Sequence, residues 1–266
     1  MVGIAALLTG DGFQAPRTPA MVIYRSLVKT RDAQFASFQK QPTIKKDVAY
    51  FLEQAPKVKT VDEFLADRKL MKVALSAFSL EGEMQYLGRM RKVLSESVTD
   101  PDALANKLLD PRFKEIAKAF MFGDLGVGNL KLNFFLREIA DRFLTNEFEK
   151  SLGEKNPALR EAEYFRRKIG AVDNAYNILG DSVLRSVVVT ALGLPTEIAI
   201  QPIEKQKALI DARVKIKDLK DPAFVEKFIQ RFLIQRDLAA QQQALNTVGD
   251  PILSLLLGAS RVNLIA

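Results

Sequence analysis

Apolar residues return every three or four positions along most of this 266-residue chain, the period of a helix that buries one face. Ile23, Leu27, Phe35 and Phe38 mark such a face over about 20–40. Pro42 opens a second segment carrying Ile44, Val48, Phe51 and Leu52, because a proline suits the first helical turn. Thr60, with Glu63 three residues on, has the form of a capping box and predicts one helix from there to about Phe78. Met84, Leu87, Met90, Val93 and Leu94 continue the period over 83–96. Asp100-Pro101 and Asp110-Pro111 each predict a short helix, an N-cap followed by a first-turn proline. Residues 121–131 interrupt the pattern with Gly123, Gly126 and Gly128. A long amphipathic helix then covers about 132–152, with Phe135, Ile139, Phe143 and Phe148 near one face, and Gly153 and Pro157 end it. A last helix runs from Pro222 to about Leu245 and carries Gln241-Gln242-Gln243.

The pattern also repeats. Residues 50–80 recur at 164–194 at a constant spacing of 114, with nine of 31 positions identical. The identities include Tyr50/Tyr164, Phe51/Phe165, Leu70/Leu184, Val73/Val187 and Ala77/Ala191. Downstream, Asp110-Pro111 and Phe113 return as Asp221-Pro222 and Phe224, at a spacing of 111. Most repeated positions are apolar and share one helical face, which marks them as core. Asp67/Asp181 is the one ionisable identity; a helix cap explains it more simply than a shared catalytic carboxylate. Ser186–Thr190 is the only β-rich stretch, and it aligns with helical Lys72–Ser76, so it too is expected to be helix.

The expected architecture is all-α, two related helical repeats over about 21–125 and 132–240 packed as a multi-helix bundle. Four segments follow: a flexible arm over 1–19, the first repeat over 20–125, a linker helix with the second repeat over 126–245, and an apolar tail over 246–266.

Composition narrows the chemistry. The chain has no Cys, His or Trp. That removes disulfides, thiol chemistry, the commonest metal ligand and the commonest general base. Zinc hydrolases, Ser-His-Asp hydrolases and Cys-His enzymes fall away unless carboxylates or lysines substitute. The net charge of +7 is not concentrated as a stripe: residues 51–200 balance, and the excess lies in the two ends. Lys45-Lys46 and Arg166-Arg167-Lys168 are short basic clusters that a solvated helix face explains. Val2–Leu8 lacks a basic flank and is too short for a Sec signal. Leu253–Leu257 is far below the ~20 residues that span a bilayer.

Individual motifs carry little. Gly126-Val127-Gly128 is followed by Lys131 where a third glycine would stand, and no strand precedes it, so a hinge is the better reading than a dinucleotide fingerprint. Thr9-Gly10-Asp11-Gly12 lacks the spaced acids of a calcium loop. Asp62/Glu63, Glu147/Glu149 and Glu161/Glu163 are neighbours that diverge on a helix and make no acid–base couple by themselves. Phe134-Phe135, Phe143 and Phe148 fit core packing best, with a partner-helix groove as the alternative.

Tyr50-Phe51, the run Lys57-Val58-Lys59-Thr60-Val61-Asp62-Glu63-Phe64-Leu65-Ala66-Asp67, Ala74–Glu81, Asp110-Pro111-Arg112-Phe113 and Ala119-Phe120 together resemble the bacterial domain-of-unknown-function family 1217 (DUF1217). The resemblance covers about 21–125, with a weaker second copy over about 132–240, and so implies tandem copies. Two departures stand out. Ser79 replaces the glycine usual in the family, and Leu192-Gly193-Leu194 lacks the acid that follows it there. Some members are encoded among flagellar genes, which implies a flagellar role. The family brings no catalytic, cofactor-binding or metal residue to carry over.

The expectation is therefore a non-enzymatic interaction or structural protein, flagellum-associated, that binds a protein partner and needs no cofactor. It would be cytoplasmic or exported through the flagellar apparatus. A small-molecule-binding protein or atypical enzyme with a cleft between the repeats is the alternative, and a basic nucleic-acid binder a weaker one.

Overall fold

The computed structural model describes residues 18–247, and among them the chain is all-α, with short 3-10 turns and no strand. The expected arm over 1–19 and the apolar tail over 246–266 lie almost wholly outside the described residues. The first half comprises α1 (Ala20–Gln39), α2 (Pro42–Gln54), α3 (Val61–Ala66), α4 (Arg68–Ala77), α5 (Leu87–Ser95), α6 (Leu104–Lys107), α7 (Pro111–Phe120) and α8 (Phe122–Leu125). The second comprises α9 (Asn133–Lys155), α10 (Pro157–Lys168), α11 (Ala175–Gly180), α12 (Ser182–Ala191), α13 (Ile203–Asp211) and α14 (Pro222–Thr247).

Several expected elements differ, and over 83–96 a 3-10 turn, Glu81–Gln85, precedes α5. The single helix from Thr60 to Phe78 is divided at Asp67, whose backbone turns extended while its carboxylate accepts from the Lys69 and Leu70 N–H groups at 2.8 and 3.0 Å. The side chain ends α3 and caps α4 in one move. Asp100-Pro101 heads no helix: Asp100 Oδ1 accepts from Asp102 N–H and closes a turn, and α6 starts only at Leu104. Asp110-Pro111 and Asp221-Pro222 do open α7 and α14, each carboxylate accepting a first-turn N–H at 3.0 Å. Ser186–Thr190 lies inside α12.

Elements recur at the spacing found in the sequence. α3 and α4 match α11 and α12 at both ends, and the 3-10 turn Ala55–Lys57 matches Ile169–Ala171. So does the local chemistry. Thr60 and Glu63 cap α3 reciprocally, Thr60 Oγ1 accepting from Glu63 N–H and Glu63 Oε2 from Lys59 N–H. Asn174 and Asn177 do the same for α11 with Asp173 N–H. Ser79 and Gly193 close α4 and α12 in the left-handed region, φ 57° and 61°. There the Leu80 and Leu194 N–H groups reach back to Leu75 and Val189 carbonyls. The left-handed cap that Gly193 fills freely is thus occupied under strain by Ser79 in the first half.

Apolar residues form two cores. One gathers Phe51, Phe64, Met71, Met90, Phe113 and Phe120. The other gathers Phe165, Ile178, Val187, Ile210, Phe228 and Phe232. α9 serves both, with Phe135, Ile139 and Phe143 in the first and Phe148 and Leu152 in the second. The cores do not follow the chain order of the segments: α1 crosses over, burying Ala20, Tyr24 and Leu27 in the second core. Gly153 does not end α9, which runs on to Lys155; its missing side chain admits α10, since a Cβ there would stand 3.0 Å from Arg160 Cβ.

Candidate functional site

The carboxylates that the sequence singled out are engaged in holding the fold. Tyr50 donates to Asp67 at 2.7 Å and Tyr164 to Asp181 at 2.6 Å, so each capping carboxylate also ties its helix to the preceding α2 or α10. Burial, then the adjacent Asp181 charge, pushes the Tyr164 phenol well above its usual range. Asp62 pairs with Arg91, Glu147 accepts from Ser76, and Glu163 pairs with Arg31. Glu149 takes the Arg167 guanidinium through both its oxygens, at 2.7 and 2.9 Å. Glu161 accepts from Ser186 and Arg236. Among the described residues, no group of three or more acids is placed to hold a metal ion. Gly126, at φ 53°, shapes the loop after α8, and Lys131 anchors its end on the Val58 and Pro56 carbonyls.

A polar seam lies beside the two cores. Buried Asn146 of α9 donates to Ser76 and accepts from Ser79, at 3.0 and 2.7 Å. Arg112 of α7 grips Asp110 and donates to the Ser79 carbonyl at 2.6 Å. Burial pushes the Asp110 carboxyl up, but the Arg112 hydrogen bonds and charge outweigh it and hold the group below its ordinary value. Glu81–Arg160 and Glu115–Lys168 cross from the first half to the second.

Beside this seam, α7, α9 and the end of α10 frame a groove. Phe134, on the first turn of α9, is 70% exposed, whereas the adjacent Phe135 is buried at 6%. Two shallow depressions of about 470 and 570 Å³ flank it and share Phe134, Glu138 and Arg142 as lining. Arg137, Asp141, Thr145 and Arg167 complete the first. Glu115, Lys118, Asn129 and Lys168 border the second. Phe143 and Phe148 are core, as the pattern favoured; Phe134 stands exposed in the groove, and the buried Phe135 contributes to the lining of the second depression. A signal was present in the sequence. Adjacent residues lie ~100° apart on a helix, so Phe134 and Phe135 do not share one face. Nothing in the sequence pointed to Lys118, Arg142 or Arg167 as its neighbours.

The family model for "Protein of unknown function (DUF1217)" matches residues 77–225, more than half of the chain. The chain belongs to the DUF1217 family. The match is single and runs from the end of α4 into α14, so this DUF1217 chain meets the model across both halves. A crystal structure of an Agrobacterium tumefaciens protein, a structural-genomics target, is similar at 31% identity and a TM-score of 0.72, covering 84% of this chain and 96% of that one. No match to a curated protein was found. No described helix is long and apolar enough to cross a membrane.

Proposed function

We propose that this DUF1217 chain is a non-enzymatic helical interaction protein, built from two copies of one unit, that binds a protein partner in the groove around Phe134. The observation that carries the reading is Phe134 itself. A large apolar ring exposed in a depression rimmed by arginine and lysine has the composition of an interface anchor, aromatic at the centre and charged at the edge. The capping pairs at Asp67 and Asp181, and the reciprocal caps at Thr60 and Asn174, support the two-copy reading, because the reciprocal caps keep the same hydrogen bonds even though their residue types differ. The flagellar association rests on the family resemblance, and flagellar export, rod, hook or filament components are the partners to look for first.

The test is co-purification of a tagged chain from a bacterial host, with bound proteins identified by mass spectrometry, comparing wild type with Phe134→Glu. Because Phe134 is 70% exposed, the substitution leaves the helical circular dichroism unchanged. The reading expects proteins enriched on the wild type and lost from the variant. Equal recovery on both moves the interface away from the groove, and recovery of the chain alone removes the interaction reading. A bound small anion is the second reading, favoured by Arg137, Arg142 and Arg167 around one depression.

A further inference from the structure

Resting on that reading, we infer that the groove takes an amphipathic helix of about three turns whose polar side is acidic. The shape comes from α9. Phe134, Arg137, Glu138, Asp141, Arg142 and Thr145 line one depression and fall at helical spacing three or four apart, a stripe roughly 16 Å long at 1.5 Å per residue. A straight stripe of that length beside a second helix, here α7 at Lys118 and Ala119, suits a helix laid along it.

The fold itself contains the same arrangement already filled. At the 114-residue spacing of the repeat, Ala20, Tyr24 and Leu27 of α1 correspond to Phe134, Glu138 and Asp141 of α9. On α1 this face is covered, and what covers it is α14. That covering helix brings carboxylates. Asp237 accepts from the Ala20 and Met21 N–H groups at 2.7 and 3.0 Å, and Glu226 accepts from Tyr24 and Arg166 at 3.0 and 2.7 Å. No side chain caps α9 at Leu132, so a carboxylate near the end of the incoming helix has the place at Phe134 that Asp237 has at Ala20.

Charge gives the partner's sign. Lys118 and Arg137 form no ion pair among the described residues, and Arg142 and Arg167 each use Nε and one terminal nitrogen on Glu138 or Glu149, leaving the other free to donate. The cations outnumber the lining acids Glu115, Glu138 and Asp141. Those three acids also select against a nucleic acid, whose evenly spaced phosphates would meet them. A peptide helix can set its acids against the arginines and an aliphatic residue against Phe134 and Ala119.

The absence of tryptophan supplies the assay. Phe134→Trp places a single indole in the groove of the full chain. Its fluorescence is titrated with an 18-residue synthetic helix carrying Leu on one side and Glu on the other, with the same peptide bearing Lys for Glu, and with a single-stranded oligonucleotide. The inference expects a saturable blue shift with the Glu–Leu peptide alone, weakened about tenfold by Arg137→Glu or Lys118→Glu and by added salt. No saturable shift, equal binding of the Lys peptide, binding of the oligonucleotide alone, or a shift produced by protein concentration itself overturns it. Where co-purification depends on Phe134 but the Glu–Leu peptide does not bind, the acidic-helix assignment falls and the groove stands. Where co-purification is indifferent to Phe134, the groove reading falls as well.

Discussion

The two halves use one set of local devices to build different surroundings. In the second half, α9 and α10 pack along each other, and α10 buries Ala158, Leu159, Ala162 and Phe165. In the first, α1 and α2 make little contact, and α2 buries only Ile44 and Phe51. The difference is written in α2: Lys45 stands where α10 has Leu159, and a lysine on that face does not accept a packed helix. α1 therefore swings to the second core, where it meets α14. A second difference follows α7. Both α7 and α14 open at Asp-Pro, but Met121 and Gly126 turn the first chain left-handed, φ 51° and 53°, while α14 runs on unbroken to Thr247. The same capping thus recurs at α3–α4 and α11–α12, while the helices around these pairs differ. The exposed stripe of α9 lies among the elements that differ.

The comparison is most exposed at the first core's cluster of four rings around Phe120. Phe120, fully buried, meets the rings of Phe64, Phe122 and Phe135 at 5.1–5.4 Å. Phe120→Ala is expected to cost about 3–5 kcal/mol. If the halves are separate cooperative units, hydrogen exchange will rise in α3–α8 and stay low in α10–α14. A uniform rise would show that α9 welds the cores into one unit.

The capping aspartates give a finer contrast. Asp181 is 8% exposed and Asp67 is half-buried. Asp181→Ala strands the buried Tyr164 hydroxyl as well as two N–H groups and is expected to cost about 3 kcal/mol, against about 1–2 for Asp67→Ala. Urea midpoints of the two variants measure it, and equal losses would remove the distinction. Smaller still is the left-handed cap. Nothing crowds Gly193, so Gly193→Ala costs only the conformation, about 1 kcal/mol. Ser79→Gly relieves similar strain but gives up the 2.7 Å bond to Asn146, leaving a net change within about 0.5 kcal/mol.

Acid sharpens the comparison least, since each half carries a partly buried carboxylate held below its ordinary value. Asp110 in the first is held below its ordinary value as described. In the second, burial pushes Glu226 up, and hydrogen bonds from Gln230, Arg166 and Tyr24 outweigh that and lower it. With folded values depressed, the unfolded chain binds protons first as pH falls. The stabilisation is complete above the ordinary carboxylate range and is lost as pH drops through the folded values. Urea midpoints should therefore be flat near neutrality and fall below about pH 4, less steeply in Asp110→Asn and in Glu226→Gln.

Much of this was legible beforehand, and for identifiable reasons. Helical period, Asp110-Pro111, Asp221-Pro222 and the Thr60–Glu63 box are local signals; the Asp-Pro pairs open α7 and α14, and the box opens α3, though not the single helix to Phe78 that it predicts. The second reciprocal cap carries no such signature, because Asn174 and Asn177 do with amides what Thr60 and Glu63 do with a hydroxyl and a carboxylate. The residue types differ while the hydrogen-bonding geometry is the same. Asp67 reads as a cap and is one, but its division of the helix is invisible to the pattern, since extended backbone at one residue leaves no trace in apolar spacing.

Short-range signals in the sequence specify the helical class, most helix starts, the recurring caps and the poverty of familiar catalytic groups. These depend on short-range hydrogen bonding, on period and on composition. Tertiary structure alone decided that α1 joins the second core, that α9 bridges both cores, and that Phe134 meets arginines and lysines drawn from three helices. Such choices compare the burial of one face against several alternatives far apart in the chain, and that comparison is made only when the helices pack.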